Sequence, residues 1–226
     1  GLPSTIVVAL TFIGWTQGAE RAYQATSALP VAFAINCVFL LTYAVAVRRG
    51  LVVGIAAALA AWAGLQGLLV WRGAPRYTTG LAIWALTLAA VYLVMDRILR
   101  LRGHERVRVR RARWDIPARG LLSGGIIVAA VGLSHLGGPL LGAVMAAFPA
   151  VYVSTLAITA RSVNIAFSRS LVVPLMVSAV VNCVVFGTVY RLTVLEAGLV
   201  GAAALAYAAS LVSAAGTYRF LQKRGA

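Results

Sequence analysis

Negative charge is scarce in this sequence. Its 226 residues carry five Asp and Glu against twenty Lys and Arg, with two His and two Cys. The acids are Glu20, Asp96, Glu105, Asp115 and Glu196, and none lies in the middle of an apolar run. The apolar segments therefore hold no acid–base pair and no ligand cluster, which argues against a membrane-embedded enzyme, a catalytic centre or a metal site. Cys37 and Cys183 both sit mid-run, so a disulfide framework is excluded and each reads as a small apolar side chain. Charge of either sign is scarce as well, at 11% of residues, against 62% hydrophobic and a mean hydropathy of +0.92. That balance excludes a soluble domain and identifies an integral membrane protein. The first apolar run has no basic region ahead of it in this sequence, so a secretory signal peptide is not expected there.

What the chain does contain is a succession of apolar runs. They cover about 2–15, 28–47, 51–71, 77–95, 120–134, 139–160, 171–190 and 197–218. Polar stretches separate them: 16–27, Arg48-Arg49-Gly50, 72–76, 96–119, Gly137-Gly138-Pro139, 161–170 and the turn around Arg191 and Glu196. The expected fold is an all-α polytopic bundle of eight transmembrane helices, with Pro149 inside the sixth.

The net charge of +15 is almost all Arg and lies between the runs, where helices leave the membrane. The positive-inside rule accounts for it without nucleic acid. With the Arg48-Arg49 turn and the 96–119 loop placed in the cytoplasm, only Arg21, Arg72, Arg76 and Arg191 fall outside. The C-terminus then lies inside, in the plasma membrane of a prokaryote. The basic loop, 97–119, is expected to touch anionic lipid.

Two short echoes, Ile35-Asn36-Cys37-Val38 and Val181-Asn182-Cys183-Val184, lie 146 residues apart. At the same offset Pro3 matches Pro149, Leu10 matches Leu156 and Thr42 matches Thr188, and with a two-residue slip Gly50-Leu51-Val52 matches Gly198-Leu199-Val200. Five helices separate each residue from its echo, an odd number, so the copies are expected to face opposite ways across the membrane. The chain divides into repeat 1 (1–72), a linker helix with the Arg-rich loop (73–119) and inverted repeat 2 (120–226). Residues 120–146 have no counterpart ahead of Pro3, and the run to Trp15 is short for a bilayer. A ninth helix in about 25 to 30 upstream residues, or from a partner subunit, is therefore expected.

Polar groups are costly in hydrocarbon, which makes Asn36 and Asn182 the leading candidates for a central solute site. Each lies near midplane depth, and a pseudo-two-fold axis would place them equivalently; the bland alternative is interhelical glue worth about 0.6 kcal/mol each. Pro3 and Pro149 can free backbone carbonyls to line a cavity. Thr42, Thr188, Ser154 and Thr155 are the candidate hydroxyls, against the alternative that they bond back to their own helices.

Gly137, Gly138, Gly142, Phe148 and Pro149, followed by helix, polar loop, helix, charged turn and helix, resemble the small four-helix membrane proteins of the GlpM-like family. The pattern recurs from Leu2-Pro3, covering about 1–72 and 120–218. The resemblance implies a fold rather than an activity. In plan the chain is also similar to the drug/metabolite transporter superfamily, in which four-helix units pair in opposite orientations. It departs from that superfamily's multidrug exporters in having no mid-helix acid at the place of their coupling Glu. The expected function is a transporter or channel for a small solute or ion, with no cofactor and with a homodimer left open. The alternative is a non-transporting accessory or assembly protein.

Overall fold

The computed structural model describes residues 4–101 and 115–223. Pro3 and most of the basic loop lie outside the described residues. Among those described, the chain is all-α without strands. The α-helices are α1 (Ser4–Gln17), α2 (Ala19–Thr26), α3 (Leu29–Ala46), α4 (Leu51–Arg72), α5 (Tyr77–Leu93), α6 (Asp115–Gly137), α7 (Pro139–Ala146), α8 (Ala150–Ser162), α9 (Ile165–Ser170), α10 (Val172–Leu175) and α11 (Val181–Lys223). Among the described residues, five helical segments are long and apolar enough to cross a membrane: Leu29–Arg49, Leu51–Arg72, Tyr77–Ile98, Pro139–Ser162 and Ile165–Lys223. The architecture is compatible with a multi-pass membrane protein.

The last segment holds 59 residues and folds back on itself. Gly198, at φ 69° and ψ 177°, breaks α11 into limbs 181–197 and 199–223. Ser210 and Ser213 of the second limb then donate to Asn182 of the first, at 3.2 Å to its carbonyl and 2.8 Å to Oδ1. Gly50 makes the corresponding turn into α4 at φ 127° and ψ 155°, a region of backbone space held almost only by Gly.

The expected boundaries need four corrections. The polar stretch 16–27 contains α2, whose buried face is Ala22, Ala25 and Thr26 while Glu20, Arg21 and Gln24 stay exposed. Its alternation of small and polar residues has a helical period even though its mean polarity suggests a loop. The loop at 161–170 contains α9, started by Asn164, whose Oδ1 accepts from Phe167 N at 2.7 Å. The charged turn expected at 191–196 is helical, and the break falls at Gly198. The sixth run is two helices, because Pro149 is the N-cap of α8 and α7 ends at Ala146.

α3 is the central post. It is apolar all round, and twelve of its eighteen residues are buried. α4 instead buries a single stripe, Gly54, Ala58, Trp62, Gln66 and Leu69. A Cβ on Gly54 would lie 2.8 Å from the Val47 backbone, so the two helices touch almost backbone to backbone there. The first limb of α11 packs antiparallel to α3. Arg191, late in that limb, meets Tyr23, Thr26 and Ser27 just ahead of α3. Ala44, late in α3, meets Arg169, ahead of α10.

Candidate functional site

The break between α7 and α8 supplies the site's backbone. Pro149 has no N–H, and the chain leaves helical geometry at Ala147 and Pro149. The Ala147 carbonyl is thereby freed from the helical ladder and takes a hydrogen bond from Asn36 Nδ2 at 3.0 Å. The next residue, Phe148, meets Trp62 of α4 edge to face, with ring centroids 5.1 Å apart. One turn along the α4 stripe, Gln66 Nε2 donates to the Ala32 carbonyl at 3.3 Å. Ala32 lies one turn before Asn36 on α3, so these contacts close a ring: Asn36, Ala147, Phe148, Trp62, Gln66, Ala32.

Both amide orientations are set by carbonyls that can only accept. Their remaining atoms are therefore acceptors. Asn36 Oδ1, Gln66 Oε1 and the Trp62 Nε1 donor are buried without a partner among the described residues. Asn36 is 1% exposed, Gln66 2% and Trp62 7%. An unpaired buried polar atom costs about 1–3 kcal/mol. Two acceptors and a donor gathered around a helix break form a concentration of unmet hydrogen-bonding capacity.

The other expected site residues are placed differently. Asn182 is fully buried, but Ser213 donates to its Oδ1 from the second limb of α11. Thr42 donates to the Val38 carbonyl at 2.9 Å, Ser154 to Val151 at 3.2 Å and Thr188 to Val184 at 2.7 Å, each on its own helix. Thr188 also shares a 2.8 Å hydrogen bond with the Tyr77 hydroxyl. The Thr155 carbonyl accepts from Thr159 at 2.7 Å. Gln66 and Trp62 were not singled out by the sequence reading. A lone Gln in a 22-residue apolar helix was the available signal, and its spacing of four from Trp62 puts both on one face.

Reciprocal contacts join the two halves of the chain. Tyr190 of α11 donates to the Leu10 carbonyl of α1 at 3.5 Å. Tyr43 of α3 shares a 2.7 Å hydrogen bond with Ser168, which donates to the Leu156 carbonyl of α8 at 2.8 Å. Arg191 Nη1 lies 3.0 Å from the Tyr23 carbonyl at the end of α2, and Arg169 Nε lies 2.7 Å from the Ala44 carbonyl at the end of α3. Each Arg supplies a cation to carbonyls of a helix C-terminus.

No family model, no curated protein and no solved structure matches this chain.

Proposed function

We propose that the chain is an integral membrane transporter or channel for a small solute or ion, with the Asn36–Gln66–Trp62 ring as its central polar station. The observation that carries this reading is the set of three unpaired polar atoms in apolar surroundings beside a broken helix. Broken helices at membrane depth line solute sites in transporters. Asn36 and Asn182 hold equivalent positions in two inverted copies in this proposal. Asn36 faces the solute, while Asn182 ties the limbs of α11 together.

Burial and contact patterns support the inverted repeat. Ile6, Leu10 and Ile13 are buried on α1, as are Tyr152, Leu156 and Thr159 on α8, all at an offset of 146. Gly54, Ala58 and Trp62 are buried on α4, and Ala202, Ala206 and Ser210 on the second limb of α11, at an offset of 148. The reciprocal Tyr and Arg contacts have the form of an isologous interface, in which each copy offers the other the same surface. The antiparallel packing of α3 against the first limb supports a reading in which the copies run in opposite directions. The same plan underlies the likeness to drug/metabolite transporters and to paired GlpM-like units. Trp15 and Trp71, 75% and 77% exposed, sit where α1 and α4 would leave the outer face, as interfacial anchors do.

The test is flux in proteoliposomes. Purified wild type, Asn36→Leu and Gln66→Leu are compared by stopped-flow light scattering with urea, glycerol and ammonium chloride, and by ion-selective dyes with potassium, sodium and chloride. Wild type is expected to carry at least one probe, and each variant to lose that flux while remaining monodisperse. A well-folded wild type that moves none of them and holds a stable partner on purification would overturn the proposal in favour of an accessory protein.

A further inference from the structure

A second site lies away from the ring, at the junction of α1, α2, α6 and α7. Positive φ at Gly18 (95°) and Gly138 (82°) ends α1 and α6 abruptly and redirects the chain into α2 and α7. The two corners enclose a pocket of about 390 Å³ lined by Thr16, Gln17, Arg21, Ser134, His135 and Gly138. We infer that this pocket binds a small oxyanion, a carboxylate or phosphate group, held by Arg21 and by the free amide nitrogen of Gln17.

The polarity of the lining decides the sign of the ligand. Ser134 Oγ donates to Gln17 Oε1 at 3.1 Å, which fixes the amide and leaves Nε2 as a buried donor without a partner among the described residues. Arg21 brings a planar fork of donors suited to two anionic oxygens and makes no ion pair among the described residues. His135 adds a ring that can donate. Thr16 already donates to the Phe12 carbonyl at 2.8 Å and serves as wall. Gly138 opens α7, whose first-turn amides have no intrahelical acceptor and favour an anion. Among the described residues, no carboxylate lines the pocket; the nearest in sequence, Glu20, accepts from Gln24 at 3.1 Å on the exposed face of α2. A cation and a buried donor with no opposing acid suit an oxyanion and disfavour a metal or an amine.

The oxyanion has two sources, a free solute or the headgroup of an anionic lipid. Binding requires no flux, so failure of the transport proposal leaves this one standing, and the reverse. The experiment is calorimetric titration of the full chain in maltoside micelles with sodium phosphate and sodium acetate at constant ionic strength. Native mass spectrometry with phosphatidylglycerol forms the second arm. Saturable phosphate or acetate binding is expected, weakened about tenfold by Arg21→Gln, as loss of one charge-assisted contact implies. Gln17→Glu keeps the oxygen that Ser134 bonds but replaces the free donor with an anionic oxygen, and should abolish binding. Arg76→Gln, on an exposed cation outside the pocket, should leave it unchanged. Retention of phosphatidylglycerol with the same variant pattern, and no binding of either free anion, assigns the site to a lipid headgroup. The inference is overturned if neither anion nor lipid binds, or if Arg21→Gln and Gln17→Glu bind as wild type does while eluting as folded protein.

Discussion

At the scale of single residues, the two echoed asparagines have separate employments. Asn182 has its side-chain oxygen occupied by Ser213, whereas Asn36 spends its nitrogen on Ala147 and keeps its oxygen unpaired. A Leu at position 36 removes one interhelical bond and one unpaired acceptor together. Asn36→Leu is therefore expected to shift stability by less than about 2 kcal/mol, read by thermal unfolding in micelles. Its flux should fall at least about tenfold, a rise of about 1.4 kcal/mol in the transport barrier. Trp62→Phe isolates the indole N–H, because it keeps the ring against Phe148. It should unfold like wild type and lose flux; unchanged flux would remove Trp62 from the station.

At the scale of elements, cations and glycines decide how the helices meet. Arg191 lies over two rings, 3.9 Å from the centroid of Tyr23 and 4.8 Å from that of Tyr77, and also reaches the end of α2. It joins α2, α5 and α11 in one contact. Arg191→Met should destabilise by about 3 kcal/mol, from lost charged hydrogen bonds and ring contacts. Arg191→Lys should rescue little of it, since an ammonium lacks the flat face that rests on a ring. Gly54 serves the opposite need, closeness. Gly54→Ala forces a methyl against the Val47 backbone and should cost about 1–3 kcal/mol. Gly64→Ala, with open space around it, is the control and should be neutral or stabilising in the same assay.

At the scale of the whole molecule, the proposed inverted plan predicts the sidedness of the corners. In a chain freed of thiols by Cys37→Ala and Cys183→Ala, Arg72→Cys should react with an impermeant maleimide added outside intact cells of a bacterial host. Arg49→Cys should react only after the membrane is opened. The reverse pattern would invert the orientation, and labelling of both from outside would break the topology. The reciprocal contacts bear on the same plan. The proposed plan accounts for the contacts Tyr190–Leu10 and Tyr43–Ser168–Leu156, which join the two halves of the chain.

The sequence by itself determined what depends on local composition and period. Hydropathy marked the long apolar helices and most of their limits, and the Asn-Cys echo suggested the repeat proposed above. It misjudged α2, α9 and the residues around Arg191, where polar side chains sit on helices because their spacing, not their mean polarity, decides burial. Only the tertiary structure decided which polar groups are met. Whether an atom of a side-chain amide finds a partner depends on residues far along the chain: Asn36 Nδ2 donates to Ala147, and Gln17 Oε1 accepts from Ser134. Their unpaired atoms follow from the crossing of helices and the placing of two glycine corners and one proline break, and no run of neighbouring residues encodes that meeting.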